Sequence, residues 1–279
     1  MTRIAFRKMH GLGNDFVVLD QRRDPWPIDA AAARALADRR TGIGCDQLLL
    51  LEPPRDAQAQ LFLHILNPDG SEAEACGNGT RCVASLIAAE TDRRVVLIET
   101  VAGLLRATVG DTGTVTVAMG EPRFGWRDIP LSREMDTLHA DLRRGPLADP
   151  VCTNIGNPHA TFFVADAEAI DLAALGPELE RDPLFPERAN IGVATVRDRR
   201  TIRFRVWERG AGITRACGSG ACAATVAAHR RGLVDARATV VLDGGTLEIA
   251  WPGSGPVLMA GPATLSFEGV FDSALIGGC

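Results

Sequence analysis

Two stretches of this chain follow one pattern. The first is Leu61-Phe-Leu-His-Ile-Leu-Asn67, followed shortly by Ala75-Cys-Gly-Asn-Gly79. The second is Ile202-Arg-Phe-Arg-Val-Trp-Glu208, followed by Ala216-Cys-Gly-Ser-Gly220. Asn67 stands nine residues before Cys76, and Glu208 nine before Cys217, so the spacing matches without a gap. Upstream, Gly13-Asn14 precedes the first cysteine by nearly the interval at which Gly156-Asn157 precedes the second. Gly42-Ile43-Gly44 loosely resembles Asn190-Ile191-Gly192. Downstream, Val95-Val-Leu-Ile98 answers Val240-Val-Leu242, and Val117-Ala-Met-Gly120 answers Val257-Leu-Met-Ala260. The repeat is far longer than a solenoid unit and reads as two homologous domains.

The elements within each half are alike. Short β-rich runs dominate: Phe16–Asp20, Gln47–Glu52, Leu61–Asn67, Val95–Glu99 and Thr114–Met119 in the first half. Thr161–Ala165, Gly192–Val196, Thr201–Glu208, Thr239–Leu242 and Thr246–Trp251 follow in the second. Gly, Pro, Asn and Asp punctuate them, as turns between strands require. Asp29–Asp38 is alanine-rich and reads as a surface helix, and Ile170–Leu175 takes the corresponding place. The segments Cys82–Ala89 and Cys222–Ala228 are apolar or small on every side, so as helices they must be surrounded by protein. The expected fold class is therefore α/β (α+β). It has two pseudo-symmetric domains, each a mainly antiparallel sheet wrapped around a central buried helix. Cys76 and Cys217 would stand at the starts of those helices.

A cysteine in that place can do chemistry. The first turn of a helix has unpaired N–H groups and a partial positive charge. That favours thiolate over thiol, and it binds an anion where glycines let the backbone approach. Cys76-Gly77-Asn78-Gly79 and Cys217-Gly218-Ser219-Gly220 both supply this arrangement. A substrate carboxylate could rest on the helix starts, with its Cα between two sulfurs. Inverting a stereocentre needs such a layout, with a base on one face and an acid on the other. Cys82 and Cys222 lie inside the apolar helices and read as core. Cys45, Cys152 and Cys279 have no partner pattern and receive no role. Taken singly, His159 reads as a structural histidine, Glu208 and Arg209 as a strand-end ion pair, and Asn14, Asn67 and Asn157 as turn residues.

Composition narrows the partners. The 279 residues are 46% apolar and 23% charged, ordinary for a soluble globular protein. A net charge of −5 and scattered arginines argue against nucleic acid. No apolar run is long enough for a membrane span, and no signal peptide is visible, so a cytoplasmic protein is expected. Seven cysteines, an odd count without a CxxC pair, disfavour both a disulfide framework and a zinc cage.

Taken together, the motifs resemble the diaminopimelate epimerase family, over essentially the whole chain. The resemblance rests on Lys8-Met-His-Gly-Leu-Gly-Asn-Asp-Phe16, Gly44-Cys-Asp-Gln47, Asn67-Pro-Asp-Gly-Ser-Glu72 and Cys76-Gly-Asn-Gly79. It continues in Gly156-Asn-Pro-His159, Glu208-Arg-Gly-Ala-Gly212 and Ala216-Cys-Gly-Ser-Gly-Ala-Cys222. It implies interconversion of LL- and meso-diaminopimelate, in lysine and peptidoglycan precursor synthesis, without pyridoxal phosphate or metal. Cys76 and Cys217 become the acid–base pair. Gly77 and Asn78 with Gly218 and Ser219 become the cradle for the carboxylate of the reacting centre. Asn67, Asn157, Asn190 and Arg209 match residues for the distal end of the substrate, and Asn14 and Gln47 match further binding positions. Glu208 matches a residue for the reacting amino group, and His159 and Glu208 match positions assisting proton movement. The resemblance also implies a C-terminal strand, Leu265–Phe271, returning to the first domain. The halves become 1–119 plus 264–279, and 120–263. A homodimer is implied as well. Cys45 stands where the family usually has Phe, Ile213 stands where Glu is common, and the chain has no tyrosine.

Alternatives to this reading are a proline or hydroxyproline racemase of the two-cysteine type, a non-catalytic two-lobed amino-acid binding protein and a thiol redox protein. Matched cysteines have no purpose in a binding protein, and the redox reading lacks a CxxC pair. A cyclic imino acid would leave the distal polar residues unpaired, at about 1–3 kcal/mol each.

Overall fold

The computed structural model describes residues 2–73 and 76–277. The chain packs as two compact units, the first ending at Val117 and resuming at Gly261, the second spanning Ala118–Ala260. The sequence reading put these divisions at 119/120 and 263/264, so the observed ones fall two and three residues earlier. Cys279 lies outside the described residues.

The first unit contains β1 (Arg3–Gly11), β2 (Asn14–Asp20), α1 (Ala30–Ala37), β3 (Gln47–Glu52), β4 (Leu61–Leu66) and β5 (Glu72–Ala73). It continues with α2 (Gly77–Thr91), β6 (Val95–Thr100), β7 (Gly103–Val109) and β8 (Val115–Ala118). The second unit opens on a small hairpin, β9 (Arg143–Arg144) and β10 (Leu147–Ala148). Then come β11 (Val151–Asn154), β12 (Pro158–Phe163), α3 (Leu172–Glu180), β13 (Asn190–Asp198) and β14 (Thr201–Glu208). β15 (Gly212–Ile213), α4 (Gly218–Arg230), β16 (Arg237–Leu242), β17 (Gly245–Ala250) and β18 (Leu258–Gly261) follow. A last strand, β19 (Thr264–Asp272), pairs antiparallel with β1 and so belongs to the first unit.

The repeat is reproduced strand for strand. In the first unit β2 runs parallel to β3, and β4 parallel to β6; the pairs β1–β2, β3–β4, β4–β5, β6–β7 and β7–β8 are antiparallel. In the second unit β12 runs parallel to β13, and β14 parallel to β16, with the corresponding remaining pairs antiparallel. Parallel neighbours need a crossover, and each has a helix in it: α1, α2, α3 and α4 in turn. The helices of the outer layer are capped alike, α1 by Asp29 and α3 by Asp171, each side chain accepting first-turn N–H bonds. α3 continues past Leu175, where the sequence pattern stops, and carries Pro177 within it. It is held there by packing: a Cβ on Gly176 would lie 2.5 Å from the Trp207 ring.

Strand register corrects parts of the repeat alignment. Phe16 pairs with Gln47, and His159 pairs with Asn190, so Gln47 is the counterpart of Asn190 and Phe16 of His159. The Gly42–Gly44 match to Asn190–Gly192 is therefore wrong: the glycines lie in the turn before β3. The Val95–Ile98 match names the right strands, but Val95 pairs as Arg237 does, so the true counterpart begins three residues earlier. Apolar runs look alike in any register, whereas hydrogen-bonded pairing admits one.

Each unit buries its core on both sides of its sheet. In the first, Val17, Leu19, Leu48 and Leu50 pack against Ala33 and Leu36 of α1. In the second, Phe162, Ile191 and Val193 pack with Leu172 and Leu179 of α3. β3 carries four consecutive buried leucines, as a strand covered on both faces should. α4 is buried almost throughout and packs on β11 to β14, β16 and β17. α2 is buried through Ala84 and again at Ile87, but Ala89, Glu90 and Thr91 are exposed, so the expectation of complete enclosure holds for α4 better than for α2.

Candidate active site

Both repeat cysteines are helix N-caps. Cys76 sits before α2 with extended backbone, and its Sγ accepts the N–H of Gly79 at 3.4 Å. Cys217 sits before α4, and its Sγ accepts the N–H of Gly220 at 3.3 Å. Sulfur is a poorer acceptor than the oxygen of the usual capping residues, so the choice of cysteine is not explained by helix stability. The first intrahelical bonds run from Thr80 to the carbonyl of Cys76 and from Ala221 to that of Cys217. Gly77, Asn78, Gly218 and Ser219 precede these first bonds and form the opening turns of the two helices, the arrangement that receives carboxylates. The last glycine of each motif is needed for space. A Cβ on Gly79 would meet Leu49 at 3.0 Å, and one on Gly220 would meet Phe204 at 3.0 Å and Cys217 Sγ at 3.2 Å.

In the first unit the remaining candidates gather at the same end of the sheet. Asn14 opens β2, Gln47 opens β3, and Asn67 follows β4. Gly13, in a left-handed turn (φ 84°), sets Asn14, as Gly156 (φ 87°) sets Asn157. The Asn14 side-chain oxygen accepts from Asn78 Nδ2 at 3.1 Å and faces Cys76 Sγ at 3.9 Å. Gln47 Nε2 donates to Asn67 Oδ1 at 3.0 Å. Beneath them Lys8 and Arg39 both donate to Asp15, at 2.5 and 2.6 Å. Burial alone would raise the Asp15 carboxyl, but these two cations hold it down at about 2.

The second unit surrounds its thiol differently. Glu208 ends β14 and presents its carboxylate to Cys217, while Thr214 donates to the same carboxylate. Cys217 is 3% exposed. Burial first, then the charge of Glu208 and its hydrogen bond, push this thiol well above its ordinary range, outweighing Ser219 and the Gly220 N–H. The helix start was expected to favour thiolate. For Cys217 the structure reverses that expectation, and the resting group is a protonated thiol. His159 on β12 is buried, and its Nε2 lies 2.8 Å from Asn157 Oδ1. Burial, helped by Arg209, pushes it down to about 3, so it is neutral near pH 7. Asn190 is 2% exposed and bonded at both ends of its amide, donating to the Pro158 carbonyl and accepting the Arg209 N–H, each at 2.9 Å. Arg209 itself is exposed, its guanidinium donating to the Glu187 carbonyl at 3.1 Å.

The model for diaminopimelate epimerase matches residues 6–125 and 151–266. A diaminopimelate epimerase from Rhodospirillum centenum is 60% identical over 98% of this chain and 94% of its own. One from Acidiphilium cryptum is 55% identical over 97% of each. The chain belongs to the diaminopimelate epimerase family. The wider fold is shared more broadly. A hydroxyproline epimerase from Agrobacterium vitis, solved with trans-4-hydroxy-L-proline, superposes with a TM-score of 0.69 at 16% identity, over 97% of this chain and 91% of that one. A probable proline racemase from Agrobacterium radiobacter gives 0.68 at 17%, over 96% and 93%. At such identities the likeness concerns architecture.

Among the described residues of this family member, Cys45, Cys82, Cys152 and Cys222 are core. Burial pushes Cys45 up to about 11, and Cys82 and Cys152 up to about 12. No disulfide joins the described cysteines. Among the described residues no three His, Cys, Asp or Glu side chains gather as a metal ion would require, and no helix is long and apolar enough to cross a membrane. Sequence reading passed over Asp46, Arg81 and Thr214. Asp46 lies within a quoted motif, beside Gln47, and Arg81 sits five residues after Cys76. A charged side chain next to the small and apolar run Cys82–Ala89 was the signal available for Arg81.

Proposed function

We propose that this chain is a diaminopimelate epimerase, an isomerase that interconverts LL- and meso-2,6-diaminopimelate by proton transfer at Cα. Cys76 and Cys217 are its acid–base pair. The observation that carries the reading is the pair of matched thiols, each capping the central helix of its half, in a chain 60% identical to a named diaminopimelate epimerase. The α-carboxylate rests on the N–H groups of Gly77 and Asn78 and of Gly218 and Ser219. These donors also stabilise the charge that accumulates there once the Cα proton leaves. Cys217, protonated at rest, starts as the acid, and the roles reverse on return. Glu208 takes the reacting amino group, and Glu208 and neutral His159 assist proton movement. Asn14, Gln47, Asn67, Asn157, Asn190 and Arg209 hold the rest of the substrate, including its distal amino-acid end. Neither metal nor pyridoxal phosphate has a part.

The reading extends to setting and assembly. A chemistry of two reduced thiols suits a reducing cytoplasm, where lysine and peptidoglycan precursors are made. A homodimer is supported by β19, which leaves Leu265, Phe267 and Val270 exposed at 45%, 51% and 47%. Large apolar side chains left in the open along one strand mark association surfaces. The test of the activity is direct. Purified protein given LL-diaminopimelate should produce the meso form on chiral chromatography and leave L-proline unchanged. Racemised proline beside untouched diaminopimelate would defeat the reading.

A further inference from the structure

We infer that Asp46 and Arg81 are positioning residues for Cys76, fixing from two ends the direction in which the amides of Asn78 and Asn14 point. The inference rests on the reading of Cys76 as an acid–base thiol and adds the device that orients its surroundings. Arg81 is wholly buried, and a guanidinium only donates hydrogen bonds. Its Nη2 donates to Asn78 Oδ1 at 2.9 Å, so the Asn78 nitrogen must face the other way. There it donates to Asn14 Oδ1 at 3.1 Å. At the far end a carboxylate only accepts, and Asp46 Oδ2 accepts from Asn14 Nδ2 at 3.0 Å. Both ends impose the same polarity. The two ends of an amide are alike in shape, so packing alone would not choose between orientations.

The consequence reaches the sulfur. Asn14 shows Cys76 an oxygen, at 3.9 Å, and Gly79 shows it an N–H, at 3.4 Å. The thiol has an acceptor for its proton, and the thiolate has a donor. Asp46 is itself held in place. Arg39 donates to its Oδ1 at 2.8 Å, and Asp15, which Lys8 and Arg39 both grip, donates a backbone N–H to its Oδ2 at 3.1 Å. All five charged groups lie in the first unit, along with the buried thiol of Cys82. At the positions equivalent to four of them, all but Arg39, the second unit has neutral residues. Cys152 answers Lys8, Pro158 answers Asp15, Ala189 answers Asp46 and Cys222 answers Arg81. There Glu208 reaches the sulfur itself, so no relay is needed.

Alkylation of Cys76 by iodoacetamide, followed across pH by peptide mass mapping of the full chain, tests this. In Asp46→Asn the carboxylate that only accepts is replaced by an amide that can also donate, so Asn14 is oriented from the Asn78 end alone and turns its nitrogen toward the sulfur in part of the molecules, which favours thiolate. The pH midpoint of Cys76 alkylation should fall by about one unit. Asp46→Glu, an acceptor only, should keep the wild-type midpoint. In an Asn14→Ala background, Asp46→Asn should add no further shift. Should the asparagine variant fail to fold, Asp46→Ser, which can also donate, serves the same comparison. An unmoved midpoint, or an equal shift with and without Asn14, overturns the inference. The readout involves no turnover, so wild-type protein inactive on diaminopimelate would defeat the proposed function and leave this result standing.

Discussion

Cys76→Ser and Cys217→Ser should each lose about 10²–10⁴-fold in the turnover of diaminopimelate while folding as well as the parent chain. The size follows from the role: each thiol handles the proton on one face of Cα, and an alcohol gives up and accepts a proton far less readily. The intact fold follows from the position. Both cysteines are N-caps, and serine is among the preferred capping residues, so each variant should hold its helix at least as firmly. Thermal melting followed by circular dichroism reads the second half of the expectation, and chiral chromatography the first. Near-normal turnover in either folded variant would refute the two-thiol mechanism. Unfolding in both would instead mean that the thiols are structural.

Glu208→Gln should be the next most damaging change, lowering turnover by about 10²-fold or more. The sign of its effect on Cys217 is fixed by the causes of that thiol's high value. Burial raises it first; the Glu208 charge and the hydrogen bond to it raise it further. Glutamine keeps the shape and removes the charge, so Cys217 should ionise at lower pH than in the parent, though still above an exposed thiol because burial remains. The alkylation midpoint of Cys217 should fall and that of Cys76 should not. An unchanged Cys217 midpoint would mean that Glu208 does not govern this thiol.

How much of this was legible in sequence depends on the kind of interaction. The Cys-Gly-x-Gly pairs were legible because a helix start has few chemical solutions, and both cysteines are the caps of the expected helices. Strands such as Gln47–Glu52 and Thr201–Glu208 were read to the residue, since apolar runs bounded by turn residues carry their own limits. β1 was missed because Arg3, Arg7 and Lys8 interrupt its apolar residues, although Ile4 and Phe6 alternate inward as a strand requires. The polarity relay was invisible for another reason. Asp46, Asn14, Asn78 and Arg81 are far apart in the chain, and only pairing of β2 with β3 and docking of α2 on β1 bring them into contact. The high value of the Cys217 thiol was missed likewise: position at a helix start argues for thiolate, and burial and Glu208 outweigh it.

The central claim is that a proton leaves one face of Cα and another arrives on the opposite face, each through a cysteine. Incubating the protein with LL-diaminopimelate in D2O, with L-proline as control, tests it most directly by mass spectrometry. The expected result is one deuterium at Cα in every molecule of meso product formed early in the reaction, none in proline, and labelling slowed about 10²–10⁴-fold when either cysteine is serine. Meso product free of deuterium, or label entering proline instead, would contradict it.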